Sequence, residues 1–202
     1  MKHLFILAIL FFSFSLHQSF ATTQSTSFGD HRQEIQGTLD VYFQANLDKD
    51  YEKILDMIYP RLFEIVSKEE MMGLFKQMEA EGIDYSIKAA ETSSISDKVV
   101  NDGQQFVLVK YILDIGIRFT GEEYSTPEVQ KILLETFKTQ YGKDRVKLDT
   151  ESNTFWIKAD NVMFAIAPEG SKDWKFMEKK PGMEAFVADF IPQEVQDKLV
   201  KE

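Results

Sequence analysis

From Asp30 onward, apolar residues recur at spacings of three and four. Ile35, Leu39, Tyr42 and Phe43 share one face, with Asn46 closing the series, and this predicts an amphipathic helix. Leu47-Asp48-Lys49-Asp50 reads as a turn, with the Asp50 carboxylate placed to cap a second helix carrying Tyr51, Ile54, Leu55 and Ile58. Pro60 breaks or kinks that helix, because it lacks an N–H and its ring clashes with the preceding turn. Ser67 and Glu70 have capping-box spacing ahead of a third helix, whose stripe is Met71, Leu74, Phe75 and Met78 and which Gly82 ends.

After Gly82 the period changes to two. Ile83, Tyr85, Ile87 and Ala89 alternate with polar residues, as a half-buried strand requires. Asn101-Asp102-Gly103 supplies a hairpin turn whose residue types tolerate positive φ. The next strand, Phe106 to about Phe119, carries one wholly apolar face: Val107, Val109, Tyr111, Leu113, Ile115, Ile117 and Phe119. Lys110, Asp114 and Arg118 mark its other face, expected to be partly wet.

Thr126-Pro127 starts a further helix through Ile132, Leu133, Phe137 and Tyr141, stopped by Gly142. Three strands are then expected, around Val146 and Leu148, Phe155 and Ile157, and Val162, Phe164 and Ile166, with Asp160-Asn161 and Pro168-Glu169-Gly170 as turns. A last strand holds Trp174 and Phe176. Met183–Phe190 and Gln193–Val200 form a short helical tail. The expected fold class is α+β: N-terminal helices packed on a strongly bent antiparallel sheet, with one helix inserted between strands. No repeat or linker divides residues 30–202, so they read as one domain.

The N-terminus differs from the rest. Met-Lys-His, an uncharged run from Leu4 to Leu16, and Ser19-Phe20-Ala21 have the three-part layout of a secretory signal peptide. A spanning helix needs roughly 20 apolar residues, and His17, Gln18 and Ser19 end this run early. Residues 1–21 are therefore expected to be cleaved after Ala21, leaving a flexible polar leader at 22–29 and a periplasmic or extracellular protein. Cleavage removes one lysine and no acidic residue, taking the net charge from −10 to −11.

That charge argues against nucleic acid as a partner, since phosphate binding needs a cationic surface. The absence of cysteine excludes disulfides, thiolate metal sites, thiol catalysis and a lipid anchor on cysteine. His3 and His17 leave with the signal, so His31 alone cannot build a catalytic triad or a multi-histidine metal site. No phosphate loop, nucleophile elbow or zincin motif occurs. Asp48, Asp50 and Glu52 suggest calcium, but Lys53 and Tyr59 stand where an EF-hand loop needs glycine and glutamate. Neither metal nor cofactor is expected.

The element order, together with Tyr42-Phe43, Lys49-Asp50-Tyr51 with Ile54-Leu55, Ile58-Tyr59-Pro60 through Phe63, and Trp174-Lys175-Phe176, resembles the nuclear transport factor 2-like (cystatin-like cone) superfamily. The resemblance spans roughly residues 30–180, and small secreted bacterial members are the most similar. The helix at 127–141 and the C-terminal tail depart from the minimal cone. The resemblance implies a cone closed by helices; it does not transmit a function, because the fold serves enzymes, binding modules and adaptors.

Three functional readings follow. The leading one is a secreted or periplasmic non-catalytic binding domain of unknown ligand, using either an apolar cone pocket lined by Tyr42, Tyr59, Phe63 and Tyr111 or a sheet face. The second is a small cone-type enzyme (isomerase, dehydratase or hydrolase) using Asp114 with Tyr111. The third is a protein-interaction or homodimerisation module working through the Lys110, Asp114 and Arg118 face. Lys179-Lys180, after the last strand, reads as a solvated turn.

Overall fold

A computed structural model describes residues 30–200; the expected signal segment and leader lie outside the described residues. Three helices come first: α1 (Asp30–Leu47), α2 (Tyr51–Met57) and α3 (Lys68–Ala80). Their boundaries follow from local chemistry. The Asp50 carboxylate accepts from the Lys53 N–H at 3.1 Å and caps α2. At α3 the Ser67 hydroxyl accepts from the Glu70 N–H while Glu70 accepts from the Ser67 N–H, both halves of a capping box. Pro60 neither kinks nor extends α2; it opens a separate 3-10 turn, Pro60–Glu64.

Six strands form one antiparallel sheet: β1 (Ile83–Ile95), β2 (Val99–Asn101), β3 (Gln104–Phe119), β4 (Val146–Asp149), β5 (Thr154–Pro168) and β6 (Lys175–Glu178). The order is β1-β3-β5-β4, with β2 extending the β1 side along β3 and β6 extending the β4 side along β5. Helix α4 (Pro127–Tyr141) connects β3 to β4, and α5 (Glu184–Phe190) and α6 (Gln193–Val200) end the chain. The fold class is thus α+β, with helices on a strongly curled antiparallel sheet.

Two expectations about the strands need correction. Asp160-Asn161 is not a turn: β5 runs unbroken from Thr154 to Pro168 and stays in register with β3 across it. The two polar residues sit where β5 lacks an outer neighbour, since β4 pairs only as far as Ile157 and β6 begins at Met163. In β1 the alternation slips between Ile87 and Ala89. An extra residue there turns Ala89 outward and Ala90 inward, and such a bulge adds bend to the strand.

The inner face of the sheet carries the core. One end of it packs under α1 through Ile35, Leu39 and Phe43 against Val107, Val109 and Tyr111. The opposite end packs against α3 and α4 through Met78 and Tyr141, on Ile115, Ile117, Phe155 and Ile157. The outer face is dry only in part. Val187, Phe190, Ile191, Val195 and Leu199 of the C-terminal helices cover Phe106, Leu108, Phe164 and Ile166, and the remainder of that face stays open.

Candidate functional site

Along the inner face of β3, the apolar row is continuous and buried except near its middle. Val107, Val109, Tyr111, Ile115, Ile117 and Phe119 are all buried, whereas Leu113, midway between them, is half-exposed. Leu113 belongs to both core clusters and marks the seam between them. Its neighbours in register are Ala90 on β1 and Ala159 on β5. Two methyl side chains flank this leucine, Ala90 half-exposed and Ala159 buried, at the seam, or saddle, between the part packed under α1 and the part packed under α3 and α4.

The wall of this saddle on the α1 side is polar and aromatic. The Tyr42 ring lies 5.1 Å from that of Phe176, and the Phe43 ring 5.3 Å from that of Tyr111. The Tyr111 hydroxyl donates a short hydrogen bond to Glu178. Lys180 Nζ stands 3.3 Å from the second oxygen of Glu178 and donates to Asn161 Oδ1 at 2.5 Å. Only 10% of the Lys180 side chain is exposed, so Lys180, expected in a solvated turn, instead lies against the sheet and faces a Glu178 carboxylate that is partly exposed. Burial, with the Glu178 charge second, raises the Tyr111 hydroxyl well above the ordinary phenol range, and the same two causes raise Tyr42. Both therefore stay neutral at physiological pH.

The four expected pocket residues do not converge. Tyr42 and Tyr111 meet at the saddle. Tyr59 lies on the outer side of the sheet, its ring edge-on to Phe190 and its hydroxyl donating to Gln104 Oε1 at 3.1 Å. Phe63, in the 3-10 turn, is half-buried with Lys68 Nζ 5.3 Å from its ring. The physical reason is a single contact. The Tyr59 N–H donates to the Phe176 carbonyl at 2.8 Å, and Ile58 bridges Phe176 in parallel. This stitches residues 58–64 around the free side of β6, away from the saddle.

The pairing of Asp114 with Tyr111 as an acid–base site is also corrected. The two are three residues apart on one strand, and side chains an odd number apart point to opposite faces. Asp114 lies opposite Ala89 and Lys158 on the outer face. Lys110 and Arg118 share that face, as expected; Arg118 is ion-paired across to Asp84 at 2.9 Å.

Glu178, Lys180 and Asn161 were missed by sequence reasoning. The available signal was that Asp160-Asn161 interrupts an otherwise strand-like run, opposite the end of a strand that closes in Glu-Lys-Lys. A separate cleft of about 480 Å³ opens between α2 and α3, lined in part by Glu52, Asp56, Lys68, Glu69 and Met72. Five of its eight lining residues are charged, and Lys68 is already paired with Asp56 at 2.5 Å. Among the described residues no helix is long and apolar enough to cross a membrane.

The architecture is α+β, a curled antiparallel sheet closed on its inner side by helices. No family model matches the chain, and no curated protein matches it. Among solved structures it is similar to an uncharacterized protein with a cystatin-like fold from Caulobacter vibrioides, at 12% identity and a TM-score of 0.36, covering 80% of this chain and 98% of that one.

Proposed function

We propose that this is an exported, non-catalytic binding domain of the nuclear transport factor 2-like type, which holds an apolar small molecule in the saddle over Leu113. The half-exposed Leu113 between Ala90 and Ala159, in the middle of a buried apolar row, carries the reading. Apolar walls with a few convergent polar groups are the usual make-up of a small-molecule site. Tyr111, Glu178 and Lys180 supply the polar end.

The same network argues against catalysis. Burial raises the Tyr111 hydroxyl well above the ordinary phenol range and its proton is committed to Glu178, so Tyr111 is not placed to move a proton. Export rests on the N-terminal segment ending at Ala21.

Native mass spectrometry of protein recovered from the envelope or medium tests both parts. The expected species lacks residues 1–21 and carries a small-molecule adduct that Leu113→Trp abolishes. A mature protein without adduct that also fails to take up an apolar fluorescent probe, 1-anilinonaphthalene-8-sulfonate, would overturn the binding reading. Retention of the signal segment would overturn export.

A further inference from the structure

The polar end of the saddle holds a cation that the fold uses only in part. β6 closes at Glu178, but the Lys179 N–H donates to the Val162 carbonyl at 2.8 Å, one step beyond the last paired residues. The antiparallel register thereby sets Lys180 opposite Asn161, in the inner-face row of Thr92 and Tyr111. The saddle row, Ala90, Leu113 and Ala159, is the next one along, roughly 7 Å away by the repeat of a strand. Beyond Ile157 no strand pairs with the outer side of β5 until Met163, so Lys180 stands where the saddle lacks a strand wall.

An ammonium group has three N–H donors. Lys180 gives one to Asn161 Oδ1 at 2.5 Å and makes no other hydrogen bond among the described residues. Glu178 Oε2 is its counter-ion at 3.3 Å, but that oxygen is buried and accepts no hydrogen bond. With only 10% of the side chain exposed, the remaining donors are largely shut off from bulk water, where an unmet donor is costly. Glu178 and Lys180 are also the only charged side chains of the sheet in the inner-face rows from Val109 to Ile115. Tyr42 and Tyr111 are neutral. The saddle thus carries one positive and one negative charge, already matched to each other.

Taking the saddle as the small-molecule site, on which this inference rests, we propose that its occupant is uncharged and offers an oxygen acceptor, as a long-chain ketone, ester or ether does, to an N–H of Lys180 that Asn161 does not take. The apolar body lies over Leu113, and the oxygen reaches the ammonium one row away. A hydrogen bond from a charged donor is worth more than one between neutral groups, so the acceptor is selected. A charged head is rejected. A carboxylate gains Lys180 but meets Glu178, and an amine gains Glu178 but meets Lys180; either one loses its hydration without a counter-charge of its own. Selectivity for an uncharged head belongs to the pair, not to one residue of it.

The purified protein is loaded with N-phenyl-1-naphthylamine, an uncharged fluorescent probe, and the probe is displaced by 2-undecanone, undecanoate or undecylamine. At neutral pH the ketone should displace it at about one-tenth the concentration that either charged competitor needs. Removing either half of the pair should reverse the order. In Glu178→Gln, which keeps an acceptor for Tyr111, undecanoate should overtake the ketone; in Lys180→Met, undecylamine should. Circular dichroism shows whether each variant is folded, and either one alone reads the switch. Probe uptake that Leu113→Trp abolishes, with undecanoate or undecylamine level with the ketone in the parent, would overturn the uncharged occupant and leave the saddle standing. A folded variant that retains the parent order would do the same. No uptake of the probe by the parent would remove the saddle as a site, and the head-group selectivity with it.

Discussion

Tyr111, on the central strand β3, donates its hydroxyl proton to Glu178 at the end of the edge strand β6, and Lys180 holds the second oxygen of that carboxylate from 3.3 Å. The bond joins residues far apart in sequence across the part of β5 that has no outer neighbour. Glu178→Ala leaves the buried Lys180 ammonium without its carboxylate. It should cost about 1–2 kcal/mol in urea unfolding, less than a fully buried pair because Glu178 is partly exposed and Lys180 keeps its bond to Asn161, and adding Lys180→Met should restore much of that loss. A single variant as stable as the parent would show that the pair contributes nothing to the fold.

Leu113 and Ile115 lie on the same face of β3, but only Ile115 is fully buried. Leu113→Ala should cost about 1 kcal/mol and Ile115→Ala about 3 kcal/mol, because the cavity left at 113 is already open to solvent. Equal losses in denaturant titrations would mean that the saddle is closed in solution.

Gly116 allows Trp156 to lie across it. Gly116→Ala places a methyl group within 3 Å of the indole and of Ser86 Oγ, so the ring must lift. Expected are a loss of about 1–3 kcal/mol and an altered tryptophan emission maximum. Unchanged emission would mean that the indole does not rest there.

Asp84 provides a pH test. The hydrogen bond from Lys49 holds its carboxyl below the ordinary aspartate range, with the charges of Lys49 and Arg118 acting in the same direction and burial opposing. A carboxylate with a lowered folded-state pKa contributes its stability above the unfolded value, about 4, and loses it as pH falls through the folded value. The gap in thermal midpoint between the parent and Asp84→Asn should therefore be constant from pH 7 to pH 5 and close below about pH 4. A gap that widens on acidification would reverse the assignment.

Ser67 closes both halves of the capping box on α3. Ser67→Ala should cost about 1 kcal/mol, read as a lower unfolding midpoint, and Ser67→Asp should recover it. No loss would place the start of α3 under tertiary rather than local control.

Local chemistry was legible wherever it acts within a few residues. The caps at Asp50, Ser67 and Thr126 and the stop at Gly142 stand where their residue types place them. Positive φ falls on Asp102 and Gly103 in the hairpin turn, as the Asn-Asp-Gly sequence demands. The apolar face of β3 was readable because strand alternation is strictly periodic. The saddle was not, because Ala90 reaches the inner face only through the slip in β1, and a bulge leaves no mark in composition. Asp160-Asn161 misled for a related reason: polar residues at a turn and at an unpaired stretch of edge look alike along one chain.

The sequence by itself determined the helix starts and their caps, the buried face of the central strand and the absence of cysteine chemistry, since these depend on composition or on neighbours at spacings of one to four. The tertiary structure alone decided that Tyr42 and Tyr111 meet while Tyr59 turns away, that Lys180 is buried against Glu178, and that Trp156 rests on Gly116. Each of these depends on which strands lie side by side and in what register. Register is set by the packing of the whole sheet, not by the residues that it brings together.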